Sequence, residues 1–311
     1  MPQHLALKID VDTYRGTREG VPRLVEALKQ HGAQATFFFT LAPDHTGRAI
    51  RRVFRPGFLG KVSRTSVREH YGIKTLLYGT LLPGPDIGRK CADIMRSVRD
   101  EGFEVGIHCY DHIRWQDNVA DKDAAWTQRE LQLAVDRFTG IFGEAPRAHA
   151  AAGWQTNRHA LRLMQRLGFD YSSDTRGSHP FIPTWNAEII ACPQLPTTLP
   201  TLDELLNCEG ATADSVAQQL LQLTKFPPAT GHVFTLHAEL EGGKLLPVFE
   251  QLLEGWKQQG YELVSMRQYL EGLEGALPRH EVVMGPVEGR VGMLALQKEG
   301  LLIFPGCNRK V

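Results

Sequence analysis

The chain has no uninterrupted apolar run near the roughly 18 residues that a membrane-spanning helix requires, so no such helix is expected. It has no basic-then-apolar leader; the strand-like run Leu5-Ala6-Leu7-Lys8-Ile9 begins almost at once, and a cleaved signal peptide is not expected. It has no excess of either charge, with Lys+Arg and Asp+Glu both 35. That balance argues against general nucleic-acid binding, which needs surplus positive charge. The five cysteines are odd in number and scattered, with no CxxC pair. They read as reduced thiols of a cytosolic protein, not as a disulfide framework. No repeat or low-complexity stretch is visible. What remains is 311 residues, 42% of them apolar, enough for a sizeable core.

Short apolar runs alternate with amphipathic stretches. Strands are expected at Leu5–Ile9, Ala35–Thr40, Glu104–His108, Arg147–Ala151, Glu188–Ala191, His232–His237 and Glu262–Val264. Helices are expected at Glu19–His31, Ile87–Glu101, Ala124–Phe142, Asn157–Leu167, Ser215–Phe226 and Lys244–Gln259. This alternation implies parallel strands with crossover helices, in a closed or nearly closed (β/α) barrel or an open doubly wound sheet. We expect a catalytic unit over residues 1–275, interrupted by an insertion at 43–85, and a hairpin-like tail at 276–311 packed on it.

Several polar groups fall where strands end, the catalytic rim of a parallel barrel. Asp10 and Asp12 stand two apart at the end of the first strand and share one of its faces. They suit a metal ligand with a neighbouring base, or a turn that caps the next helix. His108 and His112 have the i, i+4 spacing that lets two imidazoles share a divalent ion across a helical turn, or are two unrelated polar residues. His237 ends an apolar strand. Asp174 and Arg176 lie in a polar strand-end segment, and the small residues Ala150-Ala151-Ala152-Gly153-Trp154 let backbone N–H groups approach a ligand closely.

In their order, Asp10/Asp12, His108-x3-His112, Ala151–Trp154, Tyr171–Arg176 and Leu236-His237 resemble the five motifs of the polysaccharide deacetylase (NodB-homology) family. Longer strings resemble one branch of it, the deformylases of polyprenyl-phosphate-linked formamido sugars. These are Asp10-Val11-Asp12-Thr13-Tyr14-Arg15-Gly16-Thr17-Arg18-Glu19-Gly20-Val21-Pro22-Arg23-Leu24, Leu199-Pro200-Thr201 and His237-Ala238-Glu239-Leu240-Glu241-Gly242. The resemblance implies a deformed (β/α) barrel and metal-dependent hydrolysis of an N-formyl group, in service of lipid A modification and polymyxin resistance. It implies one divalent ion (Zn, Mn, Co or Ni) on Asp12, His108 and His112, with Asp10 as base and His237 as acid. Asp174 is then expected to orient His237. Arg176 is the candidate to orient the base, because the arginine usual in the third motif is missing. Gly153, Trp154, Glu239, Arg15 and Arg18 are the expected oxyanion or substrate contacts, the two arginines for a phosphate at a helix N-terminus.

The insertion is strongly basic. From His45 to Lys74, Arg48, Arg51, Arg52, Arg55, Lys61, Arg64, Arg68 and Lys74 are opposed only by Glu69. Phe54, Phe58, Leu59 and Val62 are interleaved. Such a segment suits an anionic membrane surface, with Arg51, Arg52, Phe54, Arg55, Phe58 and Leu59 as the expected contacts, or a solvated helix on the barrel. The expected location is cytoplasmic and peripheral on the inner membrane. Two other readings stand beside this one: a soluble sugar deacetylase or cyclic-amide hydrolase of the same fold, and a non-catalytic lipid-sugar binding protein.

Overall fold

Residues 3–49, 74–208, 210–290 and 292–298 are described by a computed structural model. The expected membrane contacts Arg51, Arg52, Phe54, Arg55, Phe58 and Leu59 lie outside the described residues. The main sheet has seven parallel strands: β1 (Gln3–Val11), β2 (Thr36–Thr40), β3 (Glu104–Cys109), β4 (Ala148–His149), β5 (Tyr171–Ser172), β8 (His232–His237) and β9 (Tyr261–Val264). Its order is β5-β4-β3-β2-β1-β8, with β9 paired to the start of β1.

Period-two alternation builds both faces of this sheet. Leu5, Leu7, Ile9 and Val11 of β1 face outward and pack with Leu24 and Leu28 of the helix Val21–His31, and with Phe249, Leu252 and Trp256 of the helix Leu246–Gln258. Each such fully buried side chain contributes about 1.5–3 kcal/mol. The other face curls inward. Ala6 of β1 packs there with Phe38, Ala148, Tyr171 and Val233. Lys8, Asp10 and Asp12 follow Ala6 on that inner face, so β1 turns from apolar to charged as it climbs to its C-terminal end.

Among the described residues, no regular strand fills the gap between β5 and β8. The irregular segment 194–199 crosses it instead. Leu195 donates to Ser172 O at 2.9 Å, and Thr198 to Val233 O at 3.1 Å. The result is a deformed (β/α) barrel, as expected.

A second, four-stranded sheet lies beside it in the order β11-β10-β6-β7: β6 (Ile182–Trp185), β7 (Glu188–Ile189), β10 (Arg279–Gly285) and β11 (Leu294–Gln297). Glu188–Ala191 was expected among the barrel strands; Glu188–Ile189 belongs to this second sheet, paired antiparallel with β6. The expected helix Ile87–Glu101 is two helices, Ile87–Lys90 and Ala92–Asp100, separated at Cys91. Cys91, Cys109 and Cys192 are free and buried.

Candidate active site

Asp12, His108 and His112 each offer a ligand atom, and these atoms lie within 4.8 Å of one another. Asp12 Oδ1 is 3.2 Å from His108 Nε2, and Oδ2 is 3.4 Å from His112 Nε2. The two histidines do not share a helical turn. His108 is in β3, and His112 opens the helix His112–Asn118. Asp111 caps that helix by accepting Arg114 N–H at 3.0 Å, and its other oxygen meets His45 Nδ1 at 2.6 Å. The cap swings His112 over the strand end.

Burial alone would raise the Asp12 carboxyl, but His112 and His108 outweigh it and hold the group well below the usual carboxylate range. Asp12 Oδ1, Asp10 Oδ1 and His108 Nδ1 are buried without a hydrogen-bond partner. Buried polar atoms are rarely left so. One carboxylate and two imidazoles, with the Asp12 ligand oxygen orphaned, fit a divalent ion in an open, catalytic-type ligand set.

The cation beside Asp10 is one the sequence reading passed over. Lys8 Nζ is 3.2 Å from Asp10 Oδ2, and both side chains are sealed from solvent. Burial lowers the Lys8 ammonium below its ordinary pKa, against the pull of Asp10. Arg176 does not take this position. Its guanidinium pairs with Glu204, donates to Leu199 O at 3.0 Å and lies over the Trp154 ring at 5.0 Å.

Asp174 is also placed otherwise than expected. Its Oδ1 meets His149 Nδ1 at 2.8 Å and accepts Ala151 N–H at 2.9 Å, beneath the third-motif turn. The carboxylate paired with His237 is Asp203, whose Oδ1 is 3.8 Å from His237 Nδ1. Arg290, between β10 and β11, pairs with Asp203 Oδ2 at 3.1 Å. Burial would raise Asp203, but Arg290 and His237 hold it below the ordinary carboxylate value. The His237 amide donates to Glu241 at 2.8 Å, a carboxyl that burial pushes up to about 8.

Glu239 faces the metal-ligand loop. Its Oε1 accepts Asp12 N–H at 3.1 Å, Thr13 N–H at 2.6 Å and the Thr13 hydroxyl at 2.7 Å. A side chain at Gly16 would collide with that carboxylate, its Cβ falling 2.0 Å from Oε1. The Trp154 amide donates to Ala151 O at 3.1 Å. Gly153 turns the chain at φ +61°, and a Cβ there would meet Gln116 at 2.3 Å. The Trp154 indole is buried among Val287, Leu294 and Leu296, with Lys8, Arg176 and Arg290 within about 5 Å of the ring. Arg15 pairs with Glu19 at 2.9 Å and lines a shallow cleft of about 150 Å³ with Arg23, Glu239 and Lys244. Arg18 lies one turn on, its guanidinium pKa raised by Tyr14.

Lys8 could have been found by counting in twos from Asp10 and Asp12. Asp203 and Arg290 carry no such local signal, because each reaches the rim from a distant part of the chain.

Residues 2–172 match the family model described as polysaccharide deacetylase. Over 293 residues, 94% of each chain, the sequence is 38% identical to a Shewanella sediminis protein named "Probable 4-deoxy-4-formamido-L-arabinose-phosphoundecaprenol deformylase ArnD". A Wigglesworthia glossinidia brevipalpis protein of the same name is 32% identical over 285 residues, 91% of this chain and 99% of that one. Among solved structures, a polysaccharide deacetylase from Mycobacterium smegmatis shares the fold, with a TM-score of 0.58 at 15% identity over 92% of this chain and 96% of that one. With its matched motifs gathered on one barrel rim, and its likeness to the two bacterial proteins running nearly end to end, the chain belongs to the polysaccharide deacetylase family, in the branch of the 4-deoxy-4-formamido-L-arabinose-phosphoundecaprenol deformylases.

Proposed function

We propose that the chain hydrolyses the N-formyl group of undecaprenyl-phosphate-linked 4-deoxy-4-formamido-L-arabinose, releasing formate and the free 4-amino sugar used to modify lipid A. The observation that carries this reading is the Asp12–His108–His112 cluster beside a buried Asp10, in a chain 38% identical to a protein of that name.

Asp12, His108 and His112 would hold the divalent ion, which supplies Lewis-acid polarisation of the amide and acidifies a water. Asp10 takes a proton from the attacking water, while Lys8, 3.2 Å away, fixes the direction of that carboxylate. The water oxygen bonds to the formyl carbon, and the C–N bond then breaks. His237 gives its proton to the departing nitrogen, since an amine expelled as its anion is prohibitively unstable. Asp203, held by Arg290, orients His237. Glu239 keeps the Asp12–Thr13 turn in place. Arg15 and Arg18 are the side chains proposed for the substrate phosphate. Peripheral contact with the anionic inner leaflet, through Arg51, Arg52, Phe54, Arg55, Phe58 and Leu59, is part of the same proposal. Its support is the basic, apolar composition of the insertion and a substrate that cannot readily leave the bilayer.

The test is to incubate purified protein with formylated and acetylated lipid-linked aminosugars, with and without chelator. Chelator-sensitive release of formate, with little acetate, is expected. Preference for the acetylated sugar would favour the deacetylase reading, and release of neither acid would favour a binding protein.

A further inference from the structure

Away from the rim, three side chains meet where the loop before β6 touches the β10–β11 hairpin. His179 Nε2 is 3.1 Å from His280 Nε2 and 3.0 Å from Gln297 Nε2. Neighbouring groups fix where the protons sit. Gln297 Oε1 accepts Ser178 N–H at 2.8 Å, so its amide nitrogen faces His179 and can only donate. His179 Nε2 is therefore an acceptor. Its proton is on Nδ1, 2.8 Å from the Ser178 hydroxyl oxygen. His280 Nδ1 lies 3.2 Å from Lys298 O. A carbonyl accepts, so the proton of a neutral His280 is also on Nδ1. The His280 Nε2 lone pair is left without a donor, 3.1 Å from the His179 Nε2 that accepts the Gln297 N–H at 3.0 Å.

Such an arrangement calls for an electron-pair acceptor between the rings. Zinc–imidazole bonds of about 2.0–2.1 Å at a tetrahedral angle would place the two nitrogens roughly 3.3 Å apart. The ring planes are inclined at 73°, with centroids 4.9 Å apart.

We propose that His179 and His280 bind a second divalent transition ion of the zinc, copper or nickel class, separate from the Asp12–His108–His112 cluster. Neutral imidazoles suit these ions and not magnesium or calcium. Solvent completes the coordination. The Lys298 carbonyl and the Ser178 hydroxyl hold the rings in the ligating tautomer. The ion competes with the Gln297 N–H for the His179 lone pair, and that amide then turns to a water on the ion. The site joins the loop before β6 to the hairpin that presents Arg290 to Asp203 and Leu294 to Trp154. Ion binding is thereby linked to docking of the tail.

The test uses the full-length, tag-free chain carrying Asp12→Ala, His108→Ala and His112→Ala, so that only the second site can bind. Equilibrium dialysis against Zn²⁺ should give one ion per chain, and adding His280→Asn should weaken binding at least about tenfold. Cu²⁺ bound to the same triple variant should show an electron paramagnetic resonance spectrum split by two imidazole nitrogens, a readout that leaves the pair itself intact. Absence of stoichiometric Zn²⁺ binding, or a Cu²⁺ spectrum without coupling to two nitrogens, overturns the site. In that case the pair shares a proton.

Discussion

The Lys8 ammonium lies 3.2 Å from the Asp10 carboxylate, two residues along one strand, with neither side chain open to solvent. Breaking a buried pair by removing one partner leaves an uncompensated charge and costs about 3–5 kcal/mol. Lys8→Met should therefore lower the unfolding free energy and cut kcat by roughly 10²-fold or more while metal content stays unchanged. Lys8→Arg should restore part of the rate. Retention of full kcat in Lys8→Met would remove Lys8 from the reaction.

His108→Ala deletes one of three ligands, so bound metal measured by atomic emission should fall with activity. Asp10→Asn should keep the metal and lose about 10²–10⁴-fold in rate. If Asp10→Asn loses the ion as well, base and ligand have been exchanged.

Asp203→Asn should lower kcat more than it raises KM, because it acts through His237 on the leaving amine. Asp174→Asn should mainly lower the melting temperature, since Asp174 supports His149 and the Ala151 amide. Steady-state kinetics and thermal unfolding of the two variants separate these outcomes; the reverse pattern would restore Asp174 as the orienting acid.

His232, at the start of β8, is buried and its pKa is lowered to about 4 from the ordinary 6.5. A depressed value means that the unfolded chain takes the proton first. This contribution is fully present above about pH 6.5 and is lost as pH falls toward 4, at about 3 kcal/mol over that window. Denaturant unfolding from pH 7 to 4.5 should show a shallower loss for His232→Gln than for the unaltered protein. Equal slopes would show that His232 is protonated in the native state.

Replacing Phe54, Phe58 and Leu59 with Ser should release the protein from anionic vesicles and slow turnover of the long-chain substrate. A short-chain, water-soluble analogue should be processed as before. High salt should weaken vesicle binding by the unaltered protein. A triple variant that still binds vesicles and turns over the long-chain substrate normally would show that the insertion is not the membrane contact.

The parts of the fold legible in the sequence are those that repeat locally. The helix Ala124–Phe142 and the strand His232–His237 have the expected bounds, because their periodicity is long or their ends are polar. The two-residue strands Ala148–His149 and Tyr171–Ser172 are too short for periodicity to mark their ends. Periodicity also says nothing of which sheet a strand joins, hence the placing of Glu188–Ile189. Strand ends brought Asp10, Asp12, His108 and His237 to one rim without knowledge of any contact. Partners were another matter. Asp174 is near the rim in sequence, but its carboxylate turns beneath β4; Asp203 and Arg290 reach His237 only through tertiary packing. Lys8 was readable by the same alternation as Asp10, yet a charge in a strand is ordinarily read as facing water.

Because Lys8 and Asp10 ride on alternate positions of a single strand and Asp12 follows just beyond its end, the base, its cation and one metal ligand are set together by one register. A shift of β1 by one residue against β2 and β8 would carry all three into the apolar helix layer and turn Leu7, Ile9 and Val11 inward. Such a chain would bury three charges without partners and could not persist. A folded population should thus divide into competent molecules and unfolded ones, with no class that holds the metal while lacking its base. Titrating competent centres should then return the same count as the folded fraction, at every stage of a denaturation curve.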